Sequence, residues 1–262
     1  SGNGFYDPAA EAMDSKAVAW VDPELEGKLP PLNPPDGWHG TLLDGVALSL
    51  CLPKGIQVSV GSGDNMMSAL GAGASRDGVM VASLGTSGTL FGRAPGPAPR
   101  DGGGVSAFRD ATGAWLPLHC IQDCTLVVNE VADKCGMDHA ALTALAAEEK
   151  SSATTACDPG PAKAYLDALF AVSFALHAGA GHLENWGLHC QELRVVGGGA
   201  RNPLWCRILA DLFQAPVVLP EEADTAALGA AIQAVAAGAD DFLATVQAHA
   251  SPVGKPIEPH PG

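Results

Sequence analysis

Three glycine-rich turns, each directly following a β-branched run, constrain this chain more than any other feature. They stand at 61–63 after "GIQVSV", at 85–88 after "GVMVASL", and at 197–199 after "ELRVV". One such turn is an ordinary strand connector. Three at strand ends suggest a ligand lying against backbone. Phosphates need N–H donors at close range, and Cβ atoms obstruct that approach.

The segments between the turns alternate in period. Residues 65–75, "NMMSALGAGAS", read as a small-residue helix. The strand at 78–84 passes through "GTSG" into "TLFGRA", which is a hairpin pattern. "AWLPLH" is a further strand, and residues 121–135 and 138–149 read as helices. A long helix follows from residue 163, with Leu166, Leu169, Phe170, Phe174 and Leu176 as its buried stripe. Beyond the third turn, Asn202 suits an N-cap and Pro203 the first helical position. Leu204, Trp205, Ile208, Leu209, Leu212 and Phe213 then make a wide apolar face, and Pro216 ends the helix. "PVVLP" is a strand, and "TAALGAAIQAVAAG" is a helix able to pack closely. Loops are expected at 29–38, 96–105 and 151–162, and an extended, poorly ordered tail from 251. Strands alternating with helices make the class α/β.

Composition narrows the function. Hydrophobic residues are 47% of the chain and charged ones 16%, which supports a core and argues against wholesale disorder. The net charge of −15 argues against nucleic acid and anionic membranes as partners. It leaves phosphorylated small molecules open, since backbone amides and Mg²⁺ bind them without basic side chains. No stretch reads as a transmembrane helix, and the first residues lack the basic and apolar regions of a signal peptide. The seven cysteines are scattered, as expected of reduced thiols inside a cell, in the cytoplasm or an organellar stroma or matrix. Cys120, Cys124 and Cys135 do not have the spacing of a zinc site, and His177, His182 and His189 miss the i, i+4 pairing of helical ligands.

Familiar nucleotide fingerprints are absent. There is no G-x-x-x-x-G-K-[ST] and no G-x-G-x-x-G. "GTSGT" at 85–89 falls short of a nucleophile elbow, because Thr89 replaces the second glycine and a strand follows the turn. A Ser87 hydrolase is the lesser alternative. Asp64, between a Gly-Ser-Gly turn and a helix, admits two readings. It is an N-cap, or it is a carboxylate placed for chemistry at a strand end.

"VGSGDNMMSALGAG", "VASLGTSGTLF", "LRVVGGGARNPLWCRILADLF" and "AALGAA", in this order, resemble the C-terminal part of the FGGY carbohydrate kinases, most closely their xylulokinase-like branch. The resemblance covers about residues 40–115 and 165–240. It implies the actin-like ATPase (ribonuclease H-like) fold, with ATP and a sugar bound in a cleft between two domains and Mg²⁺ on the phosphates. By resemblance, Asp64 takes the proton from the attacking sugar hydroxyl and Asn65 lies beside it near the sugar. Gly85, Thr86, Ser87 and Gly88 form a phosphate hairpin. Gly197, Gly198, Gly199 and Ala200 form the adenosine turn, with Asn202 near the purine. Residues 1–75 would be the end of the sugar-binding domain, 76–250 the nucleotide-binding domain and 251–262 a tail. The family's first phosphate hairpin, D-x-G-T, does not occur here, and its P-Y-L-x-G-E-R-x-P stretch is replaced by "SSATTACDPGPA". The expectation is an ATP-dependent ketose kinase that is truncated or completed by a partner chain. The alternative is a reduced, kinase-like nucleotide-binding or assembly subunit.

Overall fold

The computed structural model describes residues 4–97, 99, 104–148 and 160–261. The chain begins with a layer of short elements: β1 (Tyr6–Asp7), β2 (Ala12–Met13), α1 (Ser15–Val21), β3 (Trp38–Thr41), α2 (Asp44–Ser49) and β4 (Gln57–Ser59). β1 pairs with β2, and β3 with β4, as two separate two-stranded ribbons. Asp14 caps α1 by accepting from the N–H groups of Lys16 and Ala17. Most of these elements are too short for periodicity to reveal; the sequence suggests only β4 among them.

A six-stranded sheet follows, in the order β10-β9-β5-β6-β8-β7. Its strands are β5 (Val79–Leu84), β6 (Gly88–Gly92), β7 (Ser106–Arg109), β8 (Trp115–Ile121), β9 (Glu192–Val196) and β10 (Val217–Val218). β9 runs parallel to both β5 and β10, while β5–β6, β6–β8 and β7–β8 are antiparallel, so the sheet is mixed. Side chains alternate across β5, as a pleated strand requires. Met80, Ala82 and Leu84 enter one core, and Val79 and Val81 the other.

The first core lies beneath α4 (Thr125–Cys135), α5 (His139–Glu148), α6 (Pro161–Glu184) and α7 (Pro203–Phe213). The second lies beneath α3 (Asp64–Gly71), α8 (Thr225–Ala236) and α9 (Phe242–His249). α3 and α8 cross backbone to backbone. A Cβ on Gly229 would stand 1.8 Å from the Met67 carbonyl oxygen, and one on Gly71 1.9 Å from that of Thr225. The small residues of both helices permit that approach.

α6 is long and apolar enough, by length and composition alone, to span a membrane, but Leu169, Val172, Leu176 and Leu183 are buried among α4, α7 and the sheet, as in a core helix. Two expectations are corrected. Phe174, expected in its buried stripe, is 55% exposed and stacks on Phe170 instead. The tail is ordered by pairing: Ile257 bridges Val217, Val253 bridges Pro220, and His260 binds Asp211.

Candidate functional site

β5 and β9 are adjacent and parallel, with Ser83 opposite Val196, so two of the glycine turns leave the same end of the sheet side by side. In the first, Gly85 N–H donates to the Ser87 carbonyl at 3.1 Å. The start of α4 grips this hairpin. Thr125 donates to the Gly85 carbonyl from its N–H at 3.0 Å and from its hydroxyl at 2.8 Å, and Cys124 N–H donates to the Thr86 carbonyl at 2.9 Å. Thr86 and Ser87 remain exposed at the tip. Gly88 has a packing reason for being glycine, since a Cβ would meet Ile121 Cγ1 at 2.8 Å. Ser87 lies between antiparallel strands, which is not the strand-to-helix turn of a nucleophile elbow.

The second turn separates its glycines by role. Gly197 has φ +86° and would place a Cβ 2.8 Å from the Leu84 carbonyl oxygen. Gly199 would press Leu84 Cβ at 2.6 Å and the Trp205 ring at 2.9 Å. Both are glycine for the sake of packing. A Cβ on Gly198 meets nothing within 4 Å, and Gly198 borders an open cleft. Ala200 N–H closes the turn on the Gly197 carbonyl at 3.2 Å. Asn202 caps α7 as the sequence suggests, accepting from Leu204 N–H at 3.0 Å and Trp205 N–H at 3.1 Å.

The cleft has a volume of about 910 Å³. Thr125, Val128 and Asn129 of α4 form one wall, and His139 and Thr143 of α5 another; Tyr165, Gly198 and Asn202 complete it. Sequence reasoning singles out Gly198, Gly199 and Asn202 there and misses Tyr165, His139 and Thr143. Tyr165 is buried, which pushes its phenol pKa up, while hydrogen bonds with Thr143 and Asn202 pull it the other way.

Asp64 is the first residue of α3, and Gly63 occupies the N-cap with no side-chain capping bond. The N-cap reading is therefore displaced by one residue. The Asp64 carboxylate is exposed and, among the described residues, accepts only a local bond, from Asn65 N–H at 2.7 Å. Met66 shares a buried cluster with Val196, the last residue of β9. Gly61 N–H is held by Gln233 Oε1 of α8 at 2.9 Å. Gly61 and Ser62 border a second cleft of about 520 Å³, with Arg109 and Asp110 opposite. Asp64 and Asn65 line neither cleft.

Asp110 is buried, which pushes its carboxyl pKa up against hydrogen bonds from Thr112 and Ala114. Burial also pushes the Cys124 thiol up to about 12, far from the thiolate a metal needs. Among the described residues no group of three or more His, Cys, Asp or Glu side chains converges on a metal position. Cys157 lies outside the described residues.

The FGGY family of carbohydrate kinases, C-terminal domain, matches residues 136–238. The xylulose kinase of Streptomyces coelicolor is 35% identical over 254 residues, which cover 89% of this chain and 52% of that protein. The xylulose kinase of Haemophilus influenzae is 28% identical over 271 residues, covering 93% and 55%. The chain thus spans about half the length of these relatives. The crystal structure of xylulose kinase from Rhodospirillum rubrum superposes with a TM-score of 0.82 at 24% identity, over 98% of this chain and 58% of that one. Ligand-bound xylulose kinase from Lactobacillus acidophilus superposes at 0.85 with 15% identity, over 99% and 58%. At these identities the superpositions speak for the fold, which is the actin-like ATPase fold.

Proposed function

This chain belongs to the FGGY family of carbohydrate kinases, of which it carries the C-terminal part, and on that premise we propose that it is the nucleotide-binding part of an ATP-dependent sugar kinase of the xylulose type. One observation carries the reading: two glycine turns leave adjacent parallel strands side by side, next to a cleft that Gly198 leaves open. The amides at Gly85, Thr86, Ser87 and Gly88 would meet the phosphates. Gly197, Gly198, Gly199, Ala200 and Asn202 would hold the adenosine. Asp64 would orient the sugar hydroxyl and take its proton, beside Asn65. Phosphoryl transfer asks a protein for little more than such positioning and charge stabilisation. An ordinary carboxylate suffices as base where the hydroxyl becomes acidic late in the transfer.

Mg²⁺ fits this arrangement as an ion carried in by the phosphates, where it neutralises their charge. Among the described residues no preformed cluster of His, Cys, Asp or Glu side chains would compete with the phosphates for the ion. The domain division at 75/76, the tail from 251 and an intracellular location, with the six described cysteines as free thiols, belong to the same reading. A second reading has its own support. Because the chain spans about half of its relatives' length, it either receives the rest of the sugar site from further polypeptide or serves as a nucleotide-binding assembly subunit.

Gly198→Val tests the nucleotide site. Nothing in the fold opposes the side chain, so the melting temperature should hold while ATP binding, read by calorimetry, is lost. Undiminished ATP affinity would remove the adenosine turn from the proposal. Asp64→Asn tests the base in the kinase made complete by fusion or partner. Turnover should fall about 10²–10⁴-fold, as on losing a general base, with ATP affinity preserved. Normal turnover would return Asp64 to a structural role.

A further inference from the structure

The side chain of Asn202 has two lone pairs on Oδ1 and two protons on Nδ2. Both lone pairs are taken by the N–H groups of Leu204 and Trp205 at the start of α7. Those bonds fix which end of the amide is oxygen. Nδ2 gives one proton to the Tyr165 hydroxyl at 3.1 Å. A single N–H is left over, on a residue that borders the cleft. Tyr165 cannot turn away to release the other proton. It is 1% exposed, and its hydroxyl is also engaged by His139 Nδ1 at 3.0 Å and by Thr143. Groups from α5, α6 and the start of α7 therefore converge on one phenol oxygen behind the cleft wall.

We infer that Tyr165 is a positioning residue for recognition of the nucleotide base, an inference that rests on the adenosine reading of this cleft. By holding one Asn202 proton while the α7 cap holds the carbonyl oxygen, Tyr165 leaves Asn202 one donor and no acceptor. A free asparagine reads adenine at two points, accepting from the amino group and donating to a ring nitrogen. Asn202 is denied the first. The cleft uses it to meet an unprotonated ring nitrogen, and Asn202 leaves the exocyclic amino group unread.

The probes are ATP and purine riboside 5′-triphosphate, which keeps the ring nitrogens and lacks the amino group, titrated calorimetrically into the full chain. The two should bind within about threefold of each other. A loss of about tenfold or more on removing the amino group, the scale of one forfeited hydrogen bond, overturns the inference. Tyr165→Phe keeps the packed ring and releases the amide. Its ATP affinity should fall about tenfold, beyond any change in melting temperature, whereas a purely structural Tyr165 would alter melting and leave affinity intact. Should Tyr165→Phe not fold, Asn202→Asp serves instead. Asp caps α7 as well as Asn does but brings no donor, so wild-type ATP affinity in that variant also overturns the inference. A wild-type chain that takes up no ATP marks failure of the adenosine reading itself, and this control separates the two failures.

Discussion

Residues 4–60 and residues 64–257 follow opposite rules of burial. In the first region only Val18 and Ala47 are buried hydrophobics, while Trp20, Leu43 and Leu48 are 91%, 73% and 77% exposed. Ten of the fourteen large hydrophobic side chains exposed among the described residues lie between 20 and 58, so the exposure is a property of this segment and not of the molecule. In the second region two clusters fill both faces of the sheet. The first region is tethered to the second by polar contacts: Arg109 to the Pro8 carbonyl and Glu11, and Gln233 to the Pro35 carbonyl. Stability therefore resides in the second region. A two-stranded ribbon without a packed face does not stand alone in water.

The sharpest way to break this comparison is at the α3–α8 crossing. Gly229→Ala sets a methyl against the Met67 carbonyl, and overpacking of backbone should cost about 3 kcal/mol or more, read as a large drop in melting temperature. A mild effect would mean that the crossing yields. Next comes Ser173→Ala, which strips the buried Trp205 indole N–H of its acceptor at 3.0 Å. Loss of about 1–3 kcal/mol is expected from denaturant midpoints. Trp20→Ser with Leu48→Ser should leave stability within about 0.5 kcal/mol of the parent and lower the binding of a hydrophobic dye. A destabilisation comparable to that of Ser173→Ala would show that the first region carries a core after all.

The smallest effect is acid release of the tail. Burial alone would raise the Asp211 carboxyl, but hydrogen bonds from His260 outweigh it and hold the pKa below the ordinary value. A carboxyl depressed in the folded state adds stability that is full above its unfolded pKa of about 4 and is lost as pH falls through the lower folded value. Below about pH 4, amide exchange near Ile257 and His260 should quicken while that of β5 and β9 does not.

The sequence speaks clearly where the physics is local. The strand-turn-strand at 78–92, the Asn202 cap with Pro203 behind it and the apolar face of α7 each depend on a few neighbouring residues, and each is found as read. Legibility fails where partners are distant. Tyr165 in a helix pattern looks like one more buried apolar position. Its role needs α5, α6 and α7 to meet, which no spacing announces. Helical spacing gives a stripe without its width, so it does not reveal that Phe174 stands outside it. Asp64 reads as an N-cap in sequence, yet Gly63, which an N-cap also tolerates, takes that place. The Gly198–Gly199 pair looks uniform in sequence, yet one faces open space and the other a packed indole.

The α3–α8 contact also has a mechanical meaning. Helices whose backbones touch through Gly71 and Gly229 can neither roll nor slide past one another without collision. Gln233 extends the weld to the loop before α3 by gripping Gly61. The Asp64 carboxylate therefore travels with α8 as one lever.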